Sequence, residues 1–287
     1  MVEKVSVMEE DWDYLVILDA CRHDYFSKLY PHYLSGELKK VISLGSSTVE
    51  WCKKSFQKKY NDVVYISANP FINSKVEVLN FNAKNHFFKV VDVWDWGWNE
   101  KLGTVHPKTV NEAVQSFKDN YPDKRFIIHY LQPHEPYLGH TSGYPKPKPR
   151  SWAFLPMFRT IGITDVTRIN ALLLGVFNAI SKVLEPRVNG QNLLWKIGKL
   201  LKLPHANPID AMRRKVGNKG LREAYTENLR FVLGYVAKLV KKISGVIIVT
   251  SDHGERLGEG NSYSHYSGVY DPTLIEVPWF KVEKAVK

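Results

Sequence analysis

The sequence predicts an α/β fold, a three-layer α/β/α sandwich with a mainly parallel central sheet and a helical insertion. Three observations predict it. Short continuous apolar runs such as Tyr14-Leu15-Val16-Ile17-Leu18 read as strands buried on both faces. Helical segments stand between those runs, the alternation that builds a parallel sheet covered by helices. Acids, hydroxyls and imidazoles follow the runs directly, at the edge where open parallel sheets bind ligands.

The elements follow in order. The first strand, Tyr14–Leu18, ends at Asp19, and Arg22–Tyr30 reads as a helix stopped before Pro31. Val41–Leu44 is a shorter strand, and Gly45-Ser46-Ser47 opens a helix through about Lys59. Val63–Ser67 and Phe87–Val93 are further strands, Lys108–Asn120 is an amphipathic helix, and Arg125–Leu131 is another strand. Residues 139–160 form a basic loop rich in Pro and Gly, and 163–242 read as helical and basic, interrupted near Pro204–Pro208. Gly245–Ser251 is the last clear strand. One domain over residues 1–287 is expected, with the block 139–242 inserted and packed on the sandwich.

Composition narrows the partners. In 287 residues, Lys+Arg 40 against Asp+Glu 29 gives a formal charge of +11 with His neutral. That excess favours anionic partners: phosphorylated or sulfated substrates, or an anionic membrane surface in peripheral contact. No nucleic-acid motif accompanies it, so nucleic acid is not expected. Cys21 and Cys52 form no CxxC, and no disulfide framework is expected. Met1–Asp13 is acidic and lacks the apolar core of a signal peptide, and no run is long and apolar enough to span a membrane. These features lead us to expect a cytoplasmic, membrane-peripheral protein.

Taken singly, the edge residues have plain readings. Asp19 would cap a helix, as would Ser46, Ser47 or Thr48. His129 alternates with apolar neighbours and reads as a core histidine, and His134 as a turn residue. Gly254 would supply a positive φ to a turn at Asp252-His253-Gly254. Taken together they are the materials of a metal site, a carboxylate from one strand tip and an Asp-His pair from another. A hydroxyl at a helix N-terminus suits a nucleophile that must bear an anion.

Four segments carry a resemblance: VILDACRHD at 16–24, GSSTVEW at 45–51, HYLQPHEPY at 129–137, and VTSDHGERLGEGNSYSHYSGVYDPTLIEVPW at 249–279. In this order the pattern resembles the alkaline phosphatase and sulfatase superfamily. The resemblance implies metal ligation by Asp19, Asp252 and His253, with Ser47 as both ligand and nucleophile and with Ser46 and Thr48 as rivals. It implies that His134 contacts the anionic substrate group and that His265 serves the leaving-group side. Arg22 is added as a stabiliser of phosphoryl oxygens, although it could equally pair with Asp24.

The departures sharpen the expectation. Sulfatases make formylglycine in a segment that needs Pro and Arg, and this chain has Val49 and Trp51 there, so an unmodified serine is expected. Ala20 replaces a second acid, and His253 stands where many sulfatases have Asn. Fewer oxygens and an imidazole favour Mn²⁺ or Zn²⁺ over Ca²⁺. A second metal would need further ligands such as His205 or Asp210. The implied activity is metal-dependent hydrolysis or transfer of a phosphate ester. Two alternatives stand beside it, a sulfate-ester hydrolase and a non-catalytic protein that binds anions or membranes through runs such as Arg213-Arg214-Lys215 and Lys238, Lys241 and Lys242.

Overall fold

The computed structural model describes residues 2–138 and 208–283. Seven strands form one sheet: β1 (Tyr14–Leu18), β2 (Gly36–Ile42), β3 (Tyr60–Ser67), β4 (Phe87–Asp92), β5 (Arg125–Tyr130), β6 (Ile247–Thr250) and β7 (Glu276–Val282). Their order is β2-β7-β6-β1-β5-β3-β4. All pairs from β6 to β4 are parallel, and only β7 runs antiparallel to both of its neighbours. The mainly parallel α/β sheet expected from the sequence is present.

Burial on both faces follows from the period-two geometry of a strand. In β1, Val16 and Leu18 enter one core with Phe26, Trp94, Leu233 and Phe280. Leu15 and Ile17 enter the other with Trp51, Phe56, Tyr65 and Phe87. Helices α1 (His23–Leu29), α3 (Pro107–Lys118) and α4 (Pro208–Val240) cover the first face, and α2 (Thr48–Ser55) packs on the second.

Part of the expected insertion is structural core. In α4, Leu229, Val232, Leu233, Val236 and Leu239 form a stripe at helical spacing and pack into the first core. Gly217, at φ 72°, breaks the helical path within this element. The basic run at its start is largely engaged within the chain: Arg214 pairs with Asp210 at 2.9 Å and Arg213 lies over the Tyr263 ring. That pairing occupies Asp210 as well. The part of the insertion at 139–207, including His205, lies outside the described residues. Among the described residues no helix is long and apolar enough to cross a membrane.

Candidate metal and ester-cleavage site

The carboxyl ends of β1, β2, β3, β5 and β6 open on one edge, and the polar constellation sits there. Asp19 follows β1 directly. Ala20 then takes φ 58°, a left-handed conformation that costs a residue with a Cβ about 1–3 kcal/mol. Several bonds hold that turn. Tyr225 donates its hydroxyl to the Ala20 carbonyl at 2.7 Å, and the Cys21 N–H donates to Ser251 Oγ at 2.8 Å. The Ala20 N–H donates to Asp252 Oδ1 at 3.2 Å, joining the two strand tips.

Asp252 divides its oxygens. Oδ1 accepts the N–H groups of Ala20 and His253, and Oδ2 accepts the Thr48 hydroxyl at 2.7 Å. Thr48 Oγ1 is also 3.2 Å from His253 Nε2. His253 Nε2 lies 3.4 Å from Asp252 Oδ2 and 3.7 Å from Asp19 Oδ1. Ligands held about 2.0–2.1 Å from a tetrahedral ion are separated by roughly 3.3–3.5 Å. Asp19, Asp252 and His253 are all fully buried, and Asp19 Oδ1 has no hydrogen-bond partner. A buried carboxylate oxygen without a donor, facing an imidazole nitrogen across such a gap, fits a cation.

Electrostatics agree with that fit. Burial pushes the Asp19 carboxyl up, but the surrounding imidazoles, His129 first, outweigh it and hold the group well below the usual carboxylate range. Burial pushes the His253 imidazole down, which favours the neutral, ligating form.

A second cluster adjoins the first. His134, Glu255 and His265 converge within metal-ligand range of one another. The His134 loop is fastened by Asn228, whose side-chain amide donates to the carbonyls of Pro133, His134 and Pro136 at 3.0–3.2 Å. His265 Nδ1 lies 3.2 Å from both oxygens of the buried Glu255. Burial lowers the His265 imidazole, yet the Glu255 carboxylate outweighs it and pushes it up to about 9. Its ring centroid is 4.2 Å from that of His253, so the two clusters form one surface.

Three expectations about placement are corrected. Ser47 does not face the ligands; its hydroxyl is 2.6 Å from that of Ser267 on the exposed rim, and Thr48 takes the inner position. Ser47 is the extended cap residue of α2 and Thr48 its first helical residue, and that change of backbone turns adjacent hydroxyls to different sides. Arg22 does not point at substrate oxygens. It donates to Asp24, Glu259 and the Glu255 carbonyl, so its charge is spent within the chain. Gly254 has no positive φ; a Cβ there would collide with the Thr273 carbonyl oxygen, so close approach explains the glycine.

Other residues join the site. His129, read from the sequence as a core histidine, has Nε2 3.5 Å from Asp19 Oδ2, and Asn69, which the sequence did not single out, donates to that same oxygen at 2.6 Å. Glu255 holds His265. The five-residue spacing from His129 to His134 across the end of β5 was the available signal for His129. Asn69, before Pro70, carried only a turn signal.

No family model and no curated protein matches the chain in sequence. Solved structures do match. The C-terminal periplasmic domain of EptC from Escherichia coli, in complex with zinc, superposes with a TM-score of 0.50 at 13% identity, covering 98% of this chain and 77% of that one. A candidate sulfatase from Bacteroides thetaiotaomicron gives 0.50 at 9% identity, with 97% and 66% covered. The integral membrane phosphoethanolamine transferase EptA from Neisseria meningitidis gives 0.48 at 14–15% identity in its two structures, and this chain spans 47% of the full-length protein. The expected cytoplasmic setting is overturned by these likenesses, since the matched EptC domain is periplasmic. At such identities the likeness is one of fold, which this chain shares with the transferase and candidate sulfatase domains it matches.

Proposed function

We propose that the chain is a metal-dependent hydrolase or transferase of a phosphate ester, with Thr48 as its nucleophile. The observation that carries this reading is the Thr48 hydroxyl, 2.7 Å from Asp252 and 3.2 Å from His253 Nε2, beside the unpartnered oxygen of Asp19. Asp19, Thr48, Asp252 and His253 would hold the ion. Two carboxylates, a hydroxyl and an imidazole suit Zn²⁺ or Mn²⁺ better than Ca²⁺, and the zinc complex of the similar E. coli domain supports zinc. A divalent ion bound there would lower the pKa of the Thr48 hydroxyl and screen phosphoryl charge.

The chain's own groups supply the other steps. Asp252 orients the Thr48 hydroxyl. Thr48 gives its hydroxyl proton to Asp252 Oδ2, Oγ1 attacks phosphorus, a P–O bond forms, and the bond to the leaving oxygen breaks. His265, protonated at neutral pH through Glu255, gives its proton to that oxygen. His134 donates to a non-bridging oxygen. Water or an acceptor alcohol then takes the phosphoryl group from Thr48. The basic excess suits an anionic substrate, and the periplasmic setting of the matched domain supports a periplasmic or extracellular place for this one.

A sulfate ester is the second reading, favoured by the likeness to the candidate sulfatase. Val49 and Trp51 in the nucleophile segment weigh against it. The test is metal content, then activity on p-nitrophenyl phosphate, bis-p-nitrophenyl phosphate and p-nitrophenyl sulfate with Zn²⁺ or Mn²⁺. About one ion per chain with cleavage of a phosphorus ester is expected. Preference for the sulfate would favour the second reading. Absence of both metal and turnover would leave a non-catalytic anion-binding protein.

A further inference from the structure

Two histidines face Asp19 from different sides, and their ring hydrogen bonds separate their tasks. His253 Nδ1 lies 2.8 Å from the Gly254 carbonyl oxygen. A carbonyl only accepts, so Nδ1 carries the proton and Nε2 turns a lone pair toward Asp19 and Asp252. His129 Nδ1 instead meets the Tyr65 hydroxyl at 2.8 Å. Both residues are fully buried. The phenol proton needs an acceptor, and a buried hydroxyl left without one is costly. Tyr65 therefore donates, Nδ1 accepts, and the imidazole proton sits on Nε2.

Nε2 lies 3.5 Å from Asp19 Oδ2 and 4.0 Å from Asp252 Oδ2, beside both carboxylates but without a hydrogen-bond partner among the described residues. Asp19 Oδ2 accepts the Asn69 side-chain amide at 2.6 Å, and Asn69 Oδ1 is fixed in turn by the Phe71 N–H at 2.8 Å. Asp19 thus has one oxygen held by Asn69 with the His129 imidazole packed beside it, and one bare oxygen facing His253. By residue type and proximity alone, His129 with Asp19 and Asp252 would pass for a ligand triad. The proton on Nε2 says otherwise.

We propose that Tyr65, His129 and Asn69 form an outer layer that holds Asp19 with Oδ1 turned to the ion, and that His129 is a positioning residue and not a ligand. The proposal rests on the metal reading given above. Outer-layer partners of this kind typically change metal affinity about 10–100-fold when removed.

Two measurements test it. In protein labelled with ¹⁵N-histidine, long-range ¹H–¹⁵N spectra should show His129 with a protonated Nε2 and a bare Nδ1, both with and without Zn²⁺. Tyr65→Phe, which keeps the ring volume, should release that fixed tautomer. With Co²⁺ in place of zinc, Tyr65→Phe and His129→Gln should bind about 10–100-fold more weakly while keeping the visible bands of the wild type. A metal-bound ¹⁵N shift at His129 Nε2, or altered Co²⁺ bands in His129→Gln, would overturn the proposal and make His129 a ligand. Unchanged Co²⁺ affinity in both variants would overturn it too. Should the wild type take up no Co²⁺, the metal reading itself fails, and the tautomer in the metal-free protein still decides whether Tyr65 is the donor.

Discussion

The Thr48 hydroxyl donates to Asp252 Oδ2 at 2.7 Å, while the hydroxyl of the adjacent Ser47 pairs with Ser267 on the rim. One residue thus separates the inner hydroxyl from a surface one. Thr48→Ala is expected to lower turnover by ~10³-fold or more, as loss of a nucleophile does. Ser47→Ala should stay within about twofold, because an exposed hydroxyl pair contributes little. Steady-state rates on the best p-nitrophenyl ester check both, and the opposite ranking would return the nucleophile to Ser47.

The Gly254 backbone is pressed against the 271–275 turn, with its N–H donating to the Leu274 carbonyl at 2.7 Å. A Cβ would meet the Thr273 carbonyl oxygen, which is backbone and cannot swing aside. Gly254→Ala is expected to cost about 1–3 kcal/mol by overpacking. For a chain of this size that is a fall in Tm of roughly 2–12 °C. A thermal scan in the presence and absence of Zn²⁺ measures it; an unchanged Tm would mean that the turn gives way freely.

Much of this site was legible before any coordinates, and the reasons are physical. β1, β5 and β6 announce themselves because parallel strands buried on both faces are continuous apolar runs, and the groups that follow such runs must lie on one sheet edge. Asp19, Asp252, His253, His134 and His265 come to that edge together. β7 was silent because Pro278 interrupts it, and proline argues against an interior strand. The choice between Ser47 and Thr48 depends on the backbone angles of a single cap residue, which three hydroxyls in a row do not reveal. His129 hid behind its own strand: an imidazole alternating with Ile and Tyr has the pattern of a core residue, and its meaning comes from Asp19 on the neighbouring strand.

Arg22 bridges Asp24, Glu259 and the Glu255 carbonyl from a buried position. Its task is therefore to hold the 255–259 segment, and with it Glu255. Arg22→Met should lower the Tm, by about 1–3 kcal/mol in stability for the buried Glu255 carbonyl left without its donor. The kcat of the folded variant should change less than about 10-fold, whereas loss of a group that touches the transition state typically costs about 10²–10³. A kcat loss of that size with an unchanged Tm would restore Arg22 to the substrate.

Glu50 ties α2 to the loop bearing Ser267. Its carboxylate accepts from the Ser46 and Gly268 N–H groups, from Lys54 and from the Tyr270 hydroxyl. Burial pushes its pKa up, but these donors outweigh it and hold it at about 2, against an ordinary 4.5. A carboxylate with a depressed folded-state pKa adds stability that is complete above its unfolded value and is lost as pH falls through the folded one. The window therefore runs from about 4.5 down to about 2. Wild-type Tm should fall more steeply across it than that of Glu50→Gln, whose Tm is already reduced at neutral pH. Parallel profiles would show that the loop does not depend on this charge.

The last prediction concerns the ion and stability. Asp19 and Asp252 are buried carboxylates whose strand tips meet at the Ala20 N–H, and the unpartnered Oδ1 of Asp19 would gain a partner in a bound cation. A ligand that binds the folded state alone stabilises it by RT ln(1 + [L]/Kd), about 2.7 kcal/mol at a hundredfold excess over Kd. With roughly 2–4 °C per kcal/mol, saturating Zn²⁺ should raise Tm by about 5–10 °C. Chelation should reverse the rise and abolish turnover together. Asp19→Asn and Asp252→Asn should each fold without the ion and lose most of the Zn²⁺-dependent shift, because an amide is a weak ligand that cannot neutralise the charge. A Tm shift that survives in both variants would place the bound ion elsewhere, with the His134, Glu255 and His265 cluster the next group to replace.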